Sequence, residues 1–306
     1  MSTPPSGRQF ELSSGQQRAV VVEVGGGIRE YSVAGRDVLE PYALDQFCDA
    51  AHGVPLMPWP NRLADGRYSF GGHEHQLALD EPEQGNAIHG LLRWRPWSEL
   101  EQRADRVQLG ARLAAMPGYP FWLEVSIVYE LGEDGLTVTT TARNAGPEEC
   151  PFGAGQHPYL SAGGAQLDDC TLHLQAATRL LTDERQIPVG REPVAGGPYD
   201  FAAPRPIGGM RLDDAFTDLA RDDDGLVRAR LECPDGACVE LWADERYPFL
   251  EVFSGDPLPA PRRRRALAVE PMSCAPNAFA SGDGLLVLAP GDEIVLRWGV
   301  GLRRAG

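Results

Sequence analysis

Four short segments of this 306-residue chain combine side chains that can transfer protons or bind polar ligands with residues that favour turns. They are MPWPNRLADG (57–66), NAIHG (86–90), GAGQHPYL (153–160) and LAVEPMSCAPNAF (267–279). Histidine and glutamate can give and take protons in catalysis. Arginine and asparagine offer hydrogen-bond donors in fixed directions. The function therefore depends on whether these segments meet in one site.

The segments taken singly leave several interpretations open. His89 has apolar neighbours and is compatible with a buried structural histidine, a metal ligand or part of a polar site. Glu270 ends an apolar run, where a buried carboxylate is costly unless it is paired or used, and the alternative is an exposed strand end. His157 precedes a proline and is biased towards extended backbone. Two prolines restrict the backbone before Asn61 and Arg62.

Short β-strands are the elements predicted to position these residues. Helical periodicity is nearly absent, and β-branched runs end at Gly, Pro, Asp or Asn. We predict strands at 18–24, 170–176, 237–243, 249–254 and 266–272, and hairpins at 123–144 and 284–300, the latter turning at Pro290 and Gly291. This pattern predicts an all-β fold, a large antiparallel sandwich or barrel.

The chain shows no internal boundary. No composition shift or Ser/Gly linker divides it, so we predict a single domain over 1–306, with 1–17 a partly ordered N-terminal segment. The Pro/Gly-rich region 188–210 is predicted to be a long loop. The N-terminus lacks a targeting-peptide pattern, and no apolar run approaches the roughly 18 residues of a membrane span. We therefore expect a cytoplasmic protein.

Charge and cysteine usage narrow the classes of partner. The formal net charge of −16 argues against nucleic acid, which needs clustered Lys and Arg, and disfavours an anionic membrane surface. The six cysteines are scattered, without CxxC or zinc-type spacing, and are predicted to be reduced thiols. Cys233 and Cys238 flank the turn signal PDGA and could face each other across a hairpin, where only oxidation would join them.

Six motifs, in order over roughly residues 55 to 300, resemble the aldose 1-epimerase (galactose mutarotase) family. The stretch PWPNRLADGRYSFGGHEHQLALDEPEQGNAIHG carries a PNR segment and the patterns G-x-(Y/F)-x-(F/Y)-x-G and N-x-I-H-G. GAGQHPYL matches the family's second histidine motif, RLDDAFTDL its D-x-x-F segment, and VEPMSCAPNAF its glutamate segment. The resemblance implies a single-domain antiparallel β-supersandwich (galactose mutarotase-like) with a sugar cleft across one sheet.

The resemblance also implies an isomerase that interconverts the α and β anomers of a hexose such as glucose or galactose. Glu270 would be the general base and His157 the general acid for ring opening and reclosure. A carboxylate and an imidazole suit both directions of this reaction, because each can give or take a proton near neutral pH. No cofactor and no metal are expected, and the partner would be a small-molecule aldose.

Further residues are assigned to substrate binding by the same resemblance. His89 and Arg62 would bind sugar hydroxyls, and His89 would also polarise the ring oxygen. Asp213 is the first residue of D-x-x-F and would hold two hydroxyls, with its neighbour Asp214 as the alternative. Asn61 would bind the sugar or only shape the turn. The sequence does not distinguish a monomer from a homodimer.

Three other functions are compatible with parts of the sequence. His73 and His75, at the i, i+2 spacing of a strand, could join His89 in a metal site, although exposed histidines are the simpler interpretation. Glu270 and Asp213 could be a glycosidase pair. A non-catalytic carbohydrate-binding protein of the same fold is the third.

The run RRRR at 262–265 is the only basic run in the chain. We expect a solvated loop. The alternative is that one of these arginines reaches the cleft and binds an anionic sugar, so that the enzyme would act on a phosphorylated or modified aldose.

Overall fold

The computed structural model describes residues 3–304, and β-strands account for most of its regular structure. Met1 and Ser2, the start of the segment predicted to be partly ordered, lie outside the described residues, as do 305 and 306. Within that segment, residues 9–14 form a strand whose Phe10 and Leu12 are buried. None of the helices in the described part of the chain has the length and apolarity needed to cross a membrane.

The strands are numbered in chain order. The first are β1 Gln9–Ser14, β2 Gln17–Val22, β3 Ile28–Val33, β4 Arg36–Leu39, β5 Pro55–Leu56, β6 Arg62–Ala64, β7 Arg67–Phe70, β8 His73–Gln76 and β9 Asn86–Ile88. Next come β10 Ser98–Gln102, β11 Arg106–Leu113, β12 Leu123–Gly132, β13 Gly135–Asn144, β14 Cys150–Phe152, β15 Gly155–Gln156, β16 Tyr159–Ser161, β17 Thr171–Leu174 and β18 Ala176–Thr182. The last are β19 Pro188–Pro193, β20 Arg205–Pro206, β21 Asp213–Leu219, β22 Val227–Glu232, β23 Ala237–Ala243, β24 Phe249–Phe253, β25 Ala266–Met272, β26 Leu286–Leu288 and β27 Glu293–Arg304. One helical turn, α1, spans Ala278–Ser281, and a 3₁₀ turn spans Leu167–Asp169.

Two large antiparallel sheets contain most of these strands. Sheet I has twelve strands, ten of them in the order β1-β2-β3-β4-β16-β25-β24-β21-β18-β19, with β15 and β5 attached beside β25. Sheet II has nine strands in the order β10-β11-β12-β13-β27-β23-β22-β17-β20. The pairs β14-β26, β6-β9 and β7-β8 form small ladders. The predicted all-β antiparallel supersandwich is confirmed.

A single main hydrophobic core joins the two sheets. The predicted hairpin of β12 and β13 is confirmed, and alternate residues of β12 are buried while those between them are partly or fully exposed. This alternation is what a strand with one face on a core requires. Side chains from both sheets share the core, among them Phe10, Tyr31 and Val269 from sheet I and Ile127 and Trp298 from sheet II.

Strand β25 is buried on both faces, and this determines where Glu270 points. All seven of its residues are buried. Leu267 and Val269 face the main core, whereas Ala268 packs in a separate small cluster with Tyr159. Because side chains alternate along a strand, Glu270 lies on the face of Ala268, away from the main core.

The predicted closing hairpin at 284–300 is wrong. A turn does occur at its predicted place, where Asp292 N–H donates to the Ala289 carbonyl, but the two strands beside it do not pair. β26 pairs with β14, and β27 enters sheet II between β13 and β23. Pairing on both edges satisfies more backbone groups of β27 than one hairpin partner would.

The prediction of a continuous loop over 188–210 is also wrong in part. The start of the region, Pro188–Pro193, is β19, which pairs with β18 as the edge strand of sheet I. The short strand β20 pairs with β17 in sheet II. A proline at each end of β19 had indicated a loop, but proline is tolerated in an edge strand, where the outer N–H positions need no ladder partner.

Candidate active site

Three acidic side chains lie on one face of three adjacent strands of sheet I. Glu270 on β25 is opposite Glu251 on β24, and Glu251 is opposite Ala215 on β21. Asp213 precedes Ala215 by two residues and therefore shares its face. Glu251 and Glu270 are 3% and 2% exposed, so the floor of this site is nearly closed to solvent.

His157 is held directly against Glu270. It lies between β15 and β16, and its backbone bonds to Val54 and Gly53. Its Nε2 is 3.1 Å from Glu270 Oε1, and its ring stacks on Tyr159 with the centroids 4.8 Å apart. The other polar atoms of the pair, His157 Nδ1 and Glu270 Oε2, are buried without a hydrogen-bond partner in the described chain.

His89 approaches the same pair from a tight turn after β9. Both His89 and Gly90 have left-handed backbone, with φ of 64° and 72°. A Cβ atom on Gly90 would come within 2.1 Å of the Met57 carbonyl oxygen, so only glycine fits there. This turn places the His89 ring 5.4 Å from the His157 ring, edge to face.

Asn61 connects His89 to the acidic row. Its backbone N–H donates to His89 Nδ1 at 3.3 Å, which leaves His89 Nε2 to carry the ring proton. Its side-chain Nδ2 donates to Glu251 Oε2 at 3.2 Å. Asn61 itself has a left-handed φ of 55°, and its Oδ1 accepts from the N–H of Arg62.

Arg62 is the cation of the site, and Glu81 orients it. Arg62 Nε donates to both carboxylate oxygens of Glu81, at 3.2 and 3.0 Å. Asn86 Nδ2 also donates to Glu81, at 2.9 Å. Burial would lower the pKa of Arg62, but the carboxylates of Asp213 and Glu81 outweigh it and the pKa is raised.

Asp213 and Asp214 point to different surroundings. Asp214 accepts a 2.6 Å hydrogen bond from Arg179 Nη1 and one from the N–H of Asp213. Burial raises the pKa of Asp213, and the Arg62 guanidinium and the neighbouring Glu251 carboxyl oppose this rise. The strand register thus brings Asp213, rather than Asp214, together with the other candidate residues.

Burial shifts the pKa values of the site towards the neutral forms. Burial raises the pKa of Glu270 well above its usual value; the Asp213 carboxylate adds to this effect and Arg62 opposes it. Burial lowers the pKa of His157 to about 3 and takes the pKa of His89 well below its ordinary value, with further lowering by nearby cationic groups. Perturbed pKa values in a group of convergent side chains are typical of functional sites.

A cavity of about 300 Å³ opens beside Asp213 and is lined by Thr182, Gln186, Arg211 and Phe253 among others. Its size is at the lower end of the range for small-molecule sites. A larger hollow of about 570 Å³ lies on the outer face of sheet II, around Arg112 and Arg143, and holds none of the candidate residues. Of the candidate residues, Asp213 and its neighbour Asp214 line the smaller cavity, while the larger hollow lies elsewhere.

One group of three side chains could bind a metal ion in the part of the chain that the structure describes. Its members are His89, His157 and Glu270, whose donor atoms lie within 4.8 Å of one another. The three-histidine site proposed with His73 and His75 is not formed. Those two lie on β8 in the hairpin with β7, where the His75 ring stacks on Tyr68.

The arginine run is solvated only in part, at Arg263, and none of its side chains lines the cavity beside Asp213. Arg264 bonds to Asp168 and Asp256. Arg262 bonds to Asp49 and donates to His52 Nδ1 at 2.7 Å. Both side chains are largely buried and bonded to protein groups, so the expectation of a solvated segment is wrong for Arg262 and Arg264.

Two members of the site had no signal of their own in the sequence. Glu251 follows Phe249 and Leu250 in a run that predicted only a strand, and its place beside Glu270 depends on the pairing of β24 with β25. Glu81 lies in a charged turn, DEPEQGN, that resembles an ordinary surface loop. Each acts on a residue that the motifs did identify.

The buried contact of Glu270 with His157, on one sheet of an antiparallel supersandwich and beside the other candidate residues, is the arrangement that the comparisons can be set against. Comparison with known proteins assigns the chain to a family. The profile of the aldose 1-epimerase family matches residues 8–299. The chain therefore belongs to the aldose 1-epimerase family.

Individual relatives agree with this assignment. The chain is 36% identical to the uncharacterized protein YihR of Escherichia coli (strain K12) over 288 residues, 94% of this chain and 90% of that protein. It is 25% identical to the galactose mutarotase of Mus musculus over 228 residues, 67% and 64% of the two chains. A solved GalM/aldose epimerase homologue from C. elegans has a TM-score of 0.88 at 16% identity, covering 98% and 99% of the chains. The last likeness confirms the fold.

Proposed function

We propose that this protein is an aldose 1-epimerase that interconverts the α and β anomers of a hexose such as glucose or galactose. The observation that carries the proposal is the direct contact of Glu270 with His157, 3.1 Å apart in a nearly closed floor. Family membership supports the same class of reaction.

The pair of Glu270 and His157 supplies the acid–base chemistry. Glu270 takes the proton of the C1 hydroxyl while His157 protonates the ring oxygen; the ring opens, and the roles reverse on closure. The pair shares one proton, which burial favours on Glu270 with His157 neutral, and transfer of this proton to His157 forms the reactive carboxylate and imidazolium. A raised pKa makes Glu270 the stronger base, and a lowered pKa makes protonated His157 the stronger acid.

The surrounding polar groups hold the sugar in place for this proton transfer. His89 donates from Nε2, the nitrogen that Asn61 leaves protonated, towards the ring oxygen. Arg62 donates to hydroxyls and Asp213 accepts from two of them. Asn61 shapes the turn and holds these side chains in their relative positions.

The test is polarimetry on freshly dissolved α-D-glucose and α-D-galactose, with wild type compared with Glu270→Gln and His157→Ala. We expect wild type to accelerate equilibration and each variant to lose about 10²–10⁴-fold, the usual contribution of one acid–base group. Glu74→Gln and His73→Ala are matched controls on the exposed hairpin strand β8 and should retain full rate.

Wild-type rates equal to buffer for both sugars would contradict the proposed substrate. Glucose 6-phosphate and other modified aldoses would then be tested in the same way. Binding of a sugar without any rate enhancement would instead support a carbohydrate-binding protein of this fold.

A further inference from the structure

Two cysteines outside the cleft face each other at the end of a strand pair. β17 and β22 pair with Thr171 opposite Glu232, and one further step in this register places Cys170 opposite Cys233. The backbone N–H and C=O groups of both cysteines bond to other residues, so the two do not bond to each other. Cross-strand Cα atoms in such non-hydrogen-bonded positions are about 4.5 Å apart, within the roughly 4.4–6.8 Å that disulfides span.

The surroundings of this pair favour a reactive thiol. Arg36 lies beside Cys233, and its Nε is buried without a hydrogen-bond partner among the nitrogen and oxygen atoms of the described residues. The Cys170 thiol and the Arg36 guanidinium lower the pKa of Cys233 to about 7, against burial and the charge of Asp235. The hydrogen bond with Cys233 raises the pKa of Cys170, and burial and the charges of Asp169 and Asp235 add to this effect. A thiolate beside an arginine is the nucleophilic form of cysteine.

We propose that Cys170 and Cys233 form a redox-active dithiol, which hydrogen peroxide converts to an intramolecular disulfide in the folded protein. The Cys233 thiolate attacks the peroxide oxygen, the O–O bond breaks, and the sulfenic acid and hydroxide are formed. The Cys170 sulfur then attacks the sulfenic sulfur, the S–O bond breaks, and one water leaves as Cys170 gives up its proton. The two sulfurs lose two electrons in total and the peroxide gains them.

Cys170 is a better partner for Cys233 than Cys238, the residue across the expected hairpin. Cys238 is opposite Glu232 in the ladder of β22 and β23, so it is offset from Cys233 by one position. Burial also raises the pKa of Cys238 to about 11, which keeps it a thiol. All six cysteines are reduced in this structure, so the bond describes an oxidised state of the same fold.

The experiment treats the folded, full-length protein with one equivalent of hydrogen peroxide, then alkylates the free thiols in denaturant and analyses the digest by mass spectrometry. We expect two fewer alkylated cysteines and one linked peptide pair joining residues 170 and 233, both reversed by dithiothreitol. The oxidised protein should also have a higher thermal midpoint, because the bond restrains the unfolded chain.

Variants separate the proposed pair from the other thiols. Cys170→Ser should stop at a sulfenic acid on Cys233 that dimedone traps, and Arg36→Met should slow its formation. Cys238→Ser is the matched control and should still form the bond at the wild-type rate. A linked peptide between any other two cysteines, or a pair oxidised no faster than Cys238, would overturn the proposal.

Discussion

Glu251 shows how one buried carboxyl can organise its neighbours without touching the reacting atoms. Burial raises its pKa well above the usual value, and the charges of Asp213 and Glu270 add to this effect. As a neutral acid, Glu251 can donate to Asp213 and accept from Asn61 at the same time. Asn61 in turn donates to His89. A proton on Glu251 therefore helps to hold Asp213 and Asn61, two of the proposed sugar-binding residues, in place.

This arrangement predicts different outcomes for two substitutions of Glu251. Glutamine is neutral and has both a donor and an acceptor, so Glu251→Gln should retain the epimerase rate to within about threefold. Glu251→Ala leaves Asn61 and Asp213 without their partner and should lower kcat/KM by roughly 10–100-fold, the equivalent of about 1–3 kcal/mol. Polarimetric rates at several sugar concentrations would measure both.

Equal losses in the two variants would show that Glu251 acts as a charged group rather than as a neutral positioning residue. Glu240→Gln provides a comparison outside the site, since Glu240 is a buried carboxylate of sheet II bonded to Arg230 and Arg303. Its substitution should change stability without a specific effect on kcat/KM.

The motifs predicted the individual polar residues better than they predicted their connections. Asn61, His89, His157 and Glu270 stand in motifs that combine rare polar residues with turn residues, a local signal. Glu251 could not be found in this way, because its position beside Glu270 is a property of how two strands pair. The pairing register relates segments that are distant in the chain, and it cannot be derived from the sequence of either segment alone.

At the scale of elements, the turn that carries His89 depends on a single glycine. A Cβ on Gly90 would meet the Met57 carbonyl oxygen at 2.1 Å, and its φ is 72°. Gly90→Ala should therefore lower the free energy of unfolding by about 2–4 kcal/mol, since a strained backbone is combined with a backbone clash. The epimerase rate should fall as well, because relief of the clash displaces His89. Urea denaturation and polarimetry measure the two effects.

Gly71→Ala is the matched control for this turn. Gly71 also has a left-handed φ, 58°, but a Cβ there would meet nothing within 4 Å. Gly71→Ala should lower the free energy of unfolding by about 1 kcal/mol, the effect of the backbone conformation alone, with no change in rate. If the two variants lost equal stability, close packing against Met57 would not be the reason that residue 90 is glycine.

Elements were predictable where their stability is local. The hairpin of β12 and β13 has long alternating strands and a glycine-containing turn, and it formed as predicted. The segment 284–300 carried equally clear turn residues, yet β27 pairs with β13 and β23 instead of β26. A central strand pairs with two neighbours, so its pairing partners are determined by the whole sheet rather than by the adjacent turn.

At the scale of the whole molecule, a buried histidine links stability to pH. His52 is 2% exposed, and its ring stacks on Tyr159 with the centroids 4.6 Å apart. Its Nε2 is 2.5 Å from the Glu40 carbonyl, and its Nδ1 accepts from Arg262. Only a neutral ring can both donate to the carbonyl and accept from the guanidinium. Burial accordingly lowers the pKa of His52 to about 4.

The sign of the pH effect follows from proton binding in the two states. Between pH 6.5 and 4 the unfolded chain binds a proton at His52 that the folded protein excludes, so the free energy of unfolding falls as the pH falls. Burial of Glu270 and Glu251 acts in the opposite direction, because the folded state keeps their protons as the pH rises above about 4.5. The pH dependence of the unfolding free energy of wild type therefore contains opposing contributions. A variant is needed to isolate the contribution of His52.

Comparison with His52→Gln isolates this residue, because the carboxyl groups are common to both proteins and glutamine does not titrate. The amide of glutamine can still donate to Glu40 and accept from Arg262. Between pH 7.5 and pH 5, wild type should lose about 2 kcal/mol of unfolding free energy relative to the variant, from roughly 1.4 kcal/mol per pH unit below pH 6.5. Urea denaturation across this range measures the difference, and His73→Gln, on the exposed part of β8, should track wild type. A constant gap between wild type and His52→Gln would mean that the folded protein protonates His52 and that Arg262 leaves it.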